Sequence, residues 1–541
     1  MPPGSLRSVG DEARAGLQLC SIGRRVLHGH ADGVAGARAQ PPADVSGTAM
    51  NPVSRQRLIA LGSALLAVWL GWLIAEGSYL LPALAGIIAF AAVLVRATHV
   101  PADVILLGLL VVGYIVGGRG FAQLMPVAGL PLFPAEWGLA AGLGWLVVRS
   151  AQRRTLPWRR DILNGVLLLW LALGTARLAI DLPHYGLMAL RDYAMVGYTA
   201  FFFVAQRHAV EPRARTYLAG CFALATIVLL PVIFLFSTFP LFFLTSLTVR
   251  GVPLIYLKGD IAVTFLAAGS VIIFHAVRGP HRTWAWPLSV VMFLVVLGSD
   301  SRASLVAAVA AMAGLALTRR WAFPAVQAGS AVVVLAVAVA LAFSGSSPGT
   351  EARLQGLSER VASIFDLSEG RADNGDATVA KGDNNRFRLV WWQTVTGETW
   401  RKGRWLGLGF GYDLAKDFVQ TYDPAMGEDF SARSPHSIVM SAFGRMGCAG
   451  LVAFLAIVGA LVAKSWRALR DCTTTPLACS LWVAAGIILV SACFGVVLEG
   501  PMGAVVFWTI LGLANGMTVA SRPAGVPTAS PPAPALAAEN A

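Results

Sequence analysis

Four segments, far apart in the chain, carry residue types suited to chemistry on an anion or a hydroxyl group. Arg250 lies in Thr-Val-Arg-Gly-Val-Pro, just after an aromatic stretch and ahead of Lys258. Arg302 follows Asp300 in Gly298-Ser-Asp-Ser-Arg-Ala-Ser304. Arg386 and Arg388 sit in Asn384-Asn-Arg-Phe-Arg-Leu-Val-Trp-Trp392, which leads through Arg401, Lys402 and Arg404 to Gly407-Leu-Gly-Phe-Gly411. His436 stands in Ser434-Pro-His-Ser437.

Imidazole is the side chain whose ordinary pKa, about 6.5, suits proton abstraction near neutral pH, so His436 is a candidate general base. A histidine capping the start of the following helix is the competing reading. The other histidines compete poorly: His99, His208 and His281 fall in basic loops, His28 and His30 in the N-terminal tail, and His275 at an inner span end, while only His184 shares the outer face. A fixed guanidinium holds phosphate well, but Arg250 also fits a side chain reaching from an apolar run to the interface, and Asp300 and Arg302 can neutralise one another. On a helix Arg386 and Arg388 point to different faces, so one of the two is expected at a site. Glycines at positions 407, 409 and 411 let backbone N–H groups approach an anion; a tight turn before a helix explains the same pattern.

What must position these residues is a membrane. The 541 residues are 56% hydrophobic and 13% charged, far from a soluble balance. Their apolar runs reach the roughly 20 residues a helix needs to cross the hydrocarbon core, and they do not alternate as barrel strands would. The expected fold is an all-α polytopic bundle of about 14 transmembrane helices. Spans are expected to begin near Leu58, Tyr79, Ala102, Pro126, Asp161, Leu187, Tyr217, Asp260, Trp284, Ala303, Ala322, His436, Leu477 and Met502. The net charge of +13 is concentrated in short clusters between the runs, as topology signals are, and gives no reason to expect nucleic acid. One alternating set of loops holds Arg149, Arg153, Arg154, Arg207, Arg213, Arg215, Arg319, Arg320 and Lys464. Those loops are expected inside, with both termini, which places all four chemical segments outside.

The organisation that follows is an N-terminal tail over 1–57, spans 1–11 over 58–343, a large outer loop over 344–435, spans 12–14 over 436–520 and a disordered tail over 521–541. Met50 opens Asn-Pro-Val-Ser-Arg-Gln-Arg directly before the first apolar run, which reads either as the translation start, leaving 1–49 untranslated, or as the end of a disordered cytoplasmic tail. In the outer loop Leu354, Leu357, Val361, Ile364 and Phe365 predict one helix and Phe387, Val390, Trp391 and Val395 a second; Gly370 to Asn385 between them reads as a mobile, turn-rich segment. There is no phosphate-loop motif, no His-Glu-x-x-His zinc helix and no CxxC pair among the six cysteines, so ATP hydrolysis and metalloprotease chemistry lack a carrier; no cofactor or metal is expected.

In this order the segments resemble the O-antigen ligase and polymerase superfamily of bacterial membrane glycosyltransferases. The resemblance runs from Arg250 to Gly512, through Ser301-Arg302, Arg388 to Trp392, Gly407 to Gly411, His436 and Arg445-Met-Gly-Cys-Ala-Gly450. It implies a GT-C-like helix bundle in the inner membrane with a periplasmic loop, and metal-independent, inverting transfer from an undecaprenyl-diphosphate-linked glycan to lipid A–core or to a growing glycan. It also implies that His436 deprotonates the acceptor hydroxyl while Arg250 and Arg388, with Arg302 a further member, bind the diphosphate; Arg386, Lys258, Gly407, Gly409 and Gly411 are supporting candidates. Members commonly carry Asn after the histidine and Glu before the paired glycines, where this chain has Ser437 and Arg445. A ligase acting on lipid A–core is preferred; a polymerase, a protein-acceptor ligase, a transporter or flippase, and a non-catalytic scaffold are the alternatives.

Overall fold

The computed structural model describes residues 99–126, 132–277, 281–343, 377–422, 432–471 and 473–520, with a few positions before them. The chain divides into two compact units, Met1–Ala89 and Phe90–Ala541, and every element below belongs to the second. The expected spans near Leu58 and Tyr79, the Leu354–Phe365 helix and both tails lie outside the described residues.

The order is α1 Ala102–Gln123, α2 Pro134–Arg153, α3 Ile162–Tyr185, α4 Leu187–Gly197, α5 Ala200–His208 and α6 Pro212–Thr238. A π-turn at Phe242–Ser246 and a hairpin of β1 Thr248–Val249 and β2 Val252–Pro253 follow. Next come α7 Gly259–Ala276, α8 Arg282–Gly298, α9 Arg302–Leu317 and α10 Ala322–Phe343. The chain then runs through α11 Ala377–Lys402, α12 Lys416–Tyr422, α13 Ile438–Arg470, α14 Pro476–Ala492 and α15 Pro501–Ala520. Seven helices, with α4 and α5 taken as one, are long and apolar enough to cross a bilayer, and four shorter apolar helices join them. The chain is therefore an all-α polytopic membrane protein, as composition required. The span expected near Pro126 is α2, which starts later, at Pro134, and is not among the seven.

The interior is built on α7, α14 and α15, which are apolar on every side and largely buried, whereas α3 and α6 bury a minority of their surface and leave apolar side chains such as Ile180, Leu224 and Phe234 outward. In lipid an outward apolar face costs nothing, so such helices need no amphipathic pattern.

Two spanning helices are broken. Gly118 in α1 (φ 58°, ψ −129°) and Gly447 in α13 (φ 61°, ψ −156°) leave the helical region, and at each break a neighbouring segment supplies the missing hydrogen bonds. Arg119 N donates to Tyr256 O (2.8 Å) and Tyr256 N to Gly117 O (3.0 Å). Cys448 N donates to Arg404 O (2.8 Å) and Ala449 N to Trp405 O (3.2 Å), while Leu408 N donates to Gly444 O (2.7 Å). Irregular backbone in a membrane is tolerable only when its polar groups are satisfied in this way. Glycine is required at 447 because a Cβ there would lie 2.5–2.6 Å from the backbone of Trp405 and Gly407.

The second expected loop helix is present as α11, but it starts at Ala377, so Ala377–Asn385 is helix and not the turn-rich segment expected there. Ala377, Ala380 and Lys381 favour helix against the local Gly-Asp-Asn signal, and the turns downstream give the helix something to propagate from. Its apolar stripe is used as the spacing implied: Trp391 and Val395 are fully buried, with Phe387 and Val390 beside them, against Leu414, Ala415 and Phe418.

Candidate functional site

His436 ends the segment that leads into α13. Its backbone is left-handed (φ 55°), which is uncommon for a residue with a side chain and costs on the order of 1–3 kcal/mol. That geometry is held from several sides. Trp392 Nε1 donates to Pro435 O (2.6 Å), His436 N to Ser434 Oγ (3.4 Å), and Ser434 Oγ to the Glu499 carboxylate. Glu499 Oε1 also accepts from Ser441 Oγ (2.5 Å), in the first turn of α13. The imidazole is half-buried against Trp391, ring centroids 5.6 Å apart. It does not cap α13: the N-cap is Ser437, which makes no side-chain capping bond.

Three more elements converge here. Arg388 lies one helical turn before Trp391 and donates through Nη1 to Phe494 O (2.7 Å), while its buried Nε has no partner among the described residues and is a donor that an anion could meet. Arg386, two residues earlier, is exposed, so one of the two faces the site, as helical geometry requires. Lys258 sits before α7, 3.9 Å from Asp260. The start of α9 is tied to α7 through Ser304 Oγ, which bonds Asp260 O (3.1 Å) and Thr264 Oγ1 (2.9 Å); Ser491 from α14 completes that hydroxyl cluster (2.8 Å to Thr264). Ser301 Oγ accepts from Ser304 N, and Arg302 is the first residue of α9.

The electrostatics follow from this crowding. Burial, then the positive charges of Lys258 and Arg388, hold the His436 imidazole down to about 4, with Asp260 opposing. Burial and the like charge of Arg302 pull Arg388 below the ordinary arginine value, again with Asp260 opposing. Burial pushes Glu499 up to about 7, against the Ser441 hydrogen bond and the charges of Arg445 and Lys258. The result is a neutral imidazole beside cations, at a place where α7, α9, α13 and α15 all begin and point their positive dipole ends. Such an arrangement suits an anion next to a hydroxyl that is to lose its proton.

Arg250 is placed differently. It is exposed at the tip of the hairpin, left-handed (φ 52°) before Gly251 (φ 77°), and no ion pair or hydrogen bond joins it to His436 or Arg388 among the described residues. A two-residue hairpin turn of this hand favours Asn or Asp before Gly. An arginine there accepts backbone strain of about 1 kcal/mol.

The glycine loop does not offer its amides to a ligand. Gly407 N donates to Gly403 O (2.7 Å), Leu408 N to Gly444 O (2.7 Å) and Gly409 N to Arg445 O (3.2 Å). Phe410 N donates to Asp181 Oδ2 (2.7 Å) and Gly411 N to Asp192 Oδ2 (2.9 Å). The anions it cradles are the protein's own, from α3 and α4. Asp192 is paired in turn with the buried Arg445 (2.6 Å) and Asp181 with Arg177 (2.8 Å). All three glycines have positive φ. Arg445 thus holds α13, α4 and the loop together.

Sequence reading missed the positioning role of Glu499 and the part of Asp260. Glu499 was legible only as an acidic residue in Leu498-Glu-Gly-Pro501 between apolar runs, which is unusual in a membrane protein.

Helices long enough to span a bilayer, with a charged site gathered where three of them and one shorter apolar helix begin, define an integral membrane protein of the all-α polytopic class. Residues 287–455 match the family model described as O-antigen ligase, so over that stretch the chain is similar to that family. The match takes in Arg302, Arg388, the glycine loop and His436, and leaves Arg250, Lys258 and Glu499 outside it. No curated protein matches the chain.

Proposed function

We propose that the protein is a glycosyltransferase that moves a glycan from undecaprenyl diphosphate to a lipid A–core acceptor at the periplasmic face of the inner membrane. The observation that carries this reading is the His436 imidazole, half-buried against Trp391 and within electrostatic reach of Lys258 and Arg388, inside the stretch that matches the O-antigen ligase model. The acceptor hydroxyl oxygen attacks the anomeric carbon of the donor sugar, its proton passes to His436, and the bond to the diphosphate breaks with its electron pair staying on phosphate. Arg388, Lys258 and Arg302 meet that developing charge, and Arg250 at the hairpin tip binds the outer part of the diphosphate.

An imidazole held down to about 4 by burial and neighbouring cations is a weak base on its own. The cations that depress it are the ones a diphosphate would neutralise, so donor binding raises its basicity when it is needed. Uncharged at neutral pH, it starts in the form that accepts a proton, and it returns that proton to solvent once the products leave.

The test is His436→Ala in cells and in membranes carrying purified donor. Transfer is expected to vanish while the protein still inserts at wild-type levels; retained transfer overturns the mechanism. Lipopolysaccharide gels of a deletion strain separate the branches: loss of all O-chain supports the ligase, whereas single attached repeats identify a polymerase.

A further inference from the structure

A second basic cluster lies far from His436. The last turns of α2 and α5 bring Arg149, Arg153, Arg207 and His208 to one cleft of about 280 Å³, lined also by Val210 and Glu211. The buried Asp103 takes up His208 (2.9 Å) and approaches Arg149 (4.0 Å). Arg153 and Arg207 form no ion pair among the described residues, so the cleft gathers three guanidinium groups around more positive charge than its own carboxylates balance. A smaller cleft shares Arg207 and Val210 and adds Trp158 and Arg159.

Its position is set by α15, which starts beside Glu499 and near its other end accepts a hydrogen bond at Gly516 O from Arg159 Nη1 (3.1 Å). Pro501 to Gly516 is about 23 Å at 1.5 Å per residue, so this cleft lies near the opposite ends of the helices from His436. The flank of α2 leading into it is apolar and exposed, with Val147 60% and Val148 50% accessible. Arg149 stacks on the half-exposed Trp145 (5.2 Å). Where an acyl-facing surface gives way to aromatic and arginine side chains, the surroundings are lipid headgroups.

We propose that this cleft binds the phosphate of an anionic phospholipid, its glycerol end against Val210 and Trp145. Guanidinium forks match phosphate oxygens two at a time, and basic clefts between membrane helices are suited to such headgroups. The site is independent of the glycosyltransferase reading, and its occupancy does not require His436.

The full chain, delipidated in an uncharged detergent, is titrated with short-chain phosphatidylglycerol, phosphatidylcholine and inorganic phosphate, with bound ligand counted by native mass spectrometry. Phosphatidylglycerol is expected to bind selectively, and Arg153→Gln with Arg207→Gln to weaken it about thirtyfold. Arg213→Gln with Arg215→Gln removes the same charge from outside the cleft and is expected to leave binding near wild type. Arg153→Lys with Arg207→Lys keeps the charge, loses the forks and should fall between. Equal binding of the two lipids by the wild type overturns the proposal even if the glutamine variant fails to fold. So does equal weakening by the control pair, and displacement of lipid by inorganic phosphate would assign the cleft to a free anion instead.

Discussion

The indole of Trp391 lies against the imidazole of His436, ring centroids 5.6 Å apart, on the same helix that presents Arg388 one turn earlier. One face of α11 therefore sets both the burial and the charge felt by the histidine, and the consequences of that coupling can be measured.

The acid limb of kcat/KM, which reports the free enzyme, is expected near pH 4 and not near 6.5, because the neutral imidazole is the active form. Arg388→Gln removes one of the charges holding that value down. It should move the limb to higher pH as well as slow transfer, and a pH–rate profile with an unmoved limb would count against the coupling.

Arg388→Lys keeps charge but loses the second donor, so a loss of about 10²–10³ in rate is expected if Arg388 meets the leaving group. Arg386→Gln, on the exposed face two residues away, should stay within a few-fold of wild type. Initial rates with purified donor distinguish the two.

Stability against pH follows from two groups with opposite signs. His436, lowered in the folded state, contributes stability that is present above about 6.5 and lost as pH falls through about 4. Glu499, raised to about 7, contributes stability present below its ordinary value of 4.5 and lost as pH rises through 7. Their slopes oppose each other where the two ranges overlap, from 4.5 to 6.5, so Glu499→Gln should unmask a steeper fall in thermal stability on acidification. Melting curves from pH 4 to 7 in detergent would show it.

Arg445→Gln strands Asp192 in the interior, a change that costs about 3–5 kcal/mol for a buried pair. Gly409→Ala forces a Cβ within 2.5–2.8 Å of Arg177 and Asp181 at φ 100° and should be comparably damaging. Gly459→Ala, in α13 with open space around it, should be neutral or stabilise by up to about 1 kcal/mol. Yield of folded protein after detergent extraction orders the three.

Hydropathy was enough to place most of the helices because it is local: a run of about 20 apolar residues must cross the bilayer whatever its neighbours are. Trp391 and Val395 were legible as a buried stripe for a similar reason, since spacing along one helix defines a face. His436 and Arg388 could be singled out because their chemistry is rare at such positions.

Contact across long separations was not legible. The amides of Gly407 to Gly411 looked available to a phosphate until Asp181 and Asp192, more than 200 residues earlier in the chain, were seen to occupy two of them. Glu499 looked like an isolated intramembrane charge until folding set it against Ser434 and Ser441. The breaks at Gly118 and Gly447 need hydrogen-bond partners from Tyr256, Arg404 and Trp405, and no local pattern names a partner. Composition alone sufficed for a membrane-embedded helical protein, because transfer into lipid sums residue by residue. Which cations face the imidazole, and which carboxylates fill the glycine loop, are pairwise terms between distant residues, and those exist only once the helices have packed.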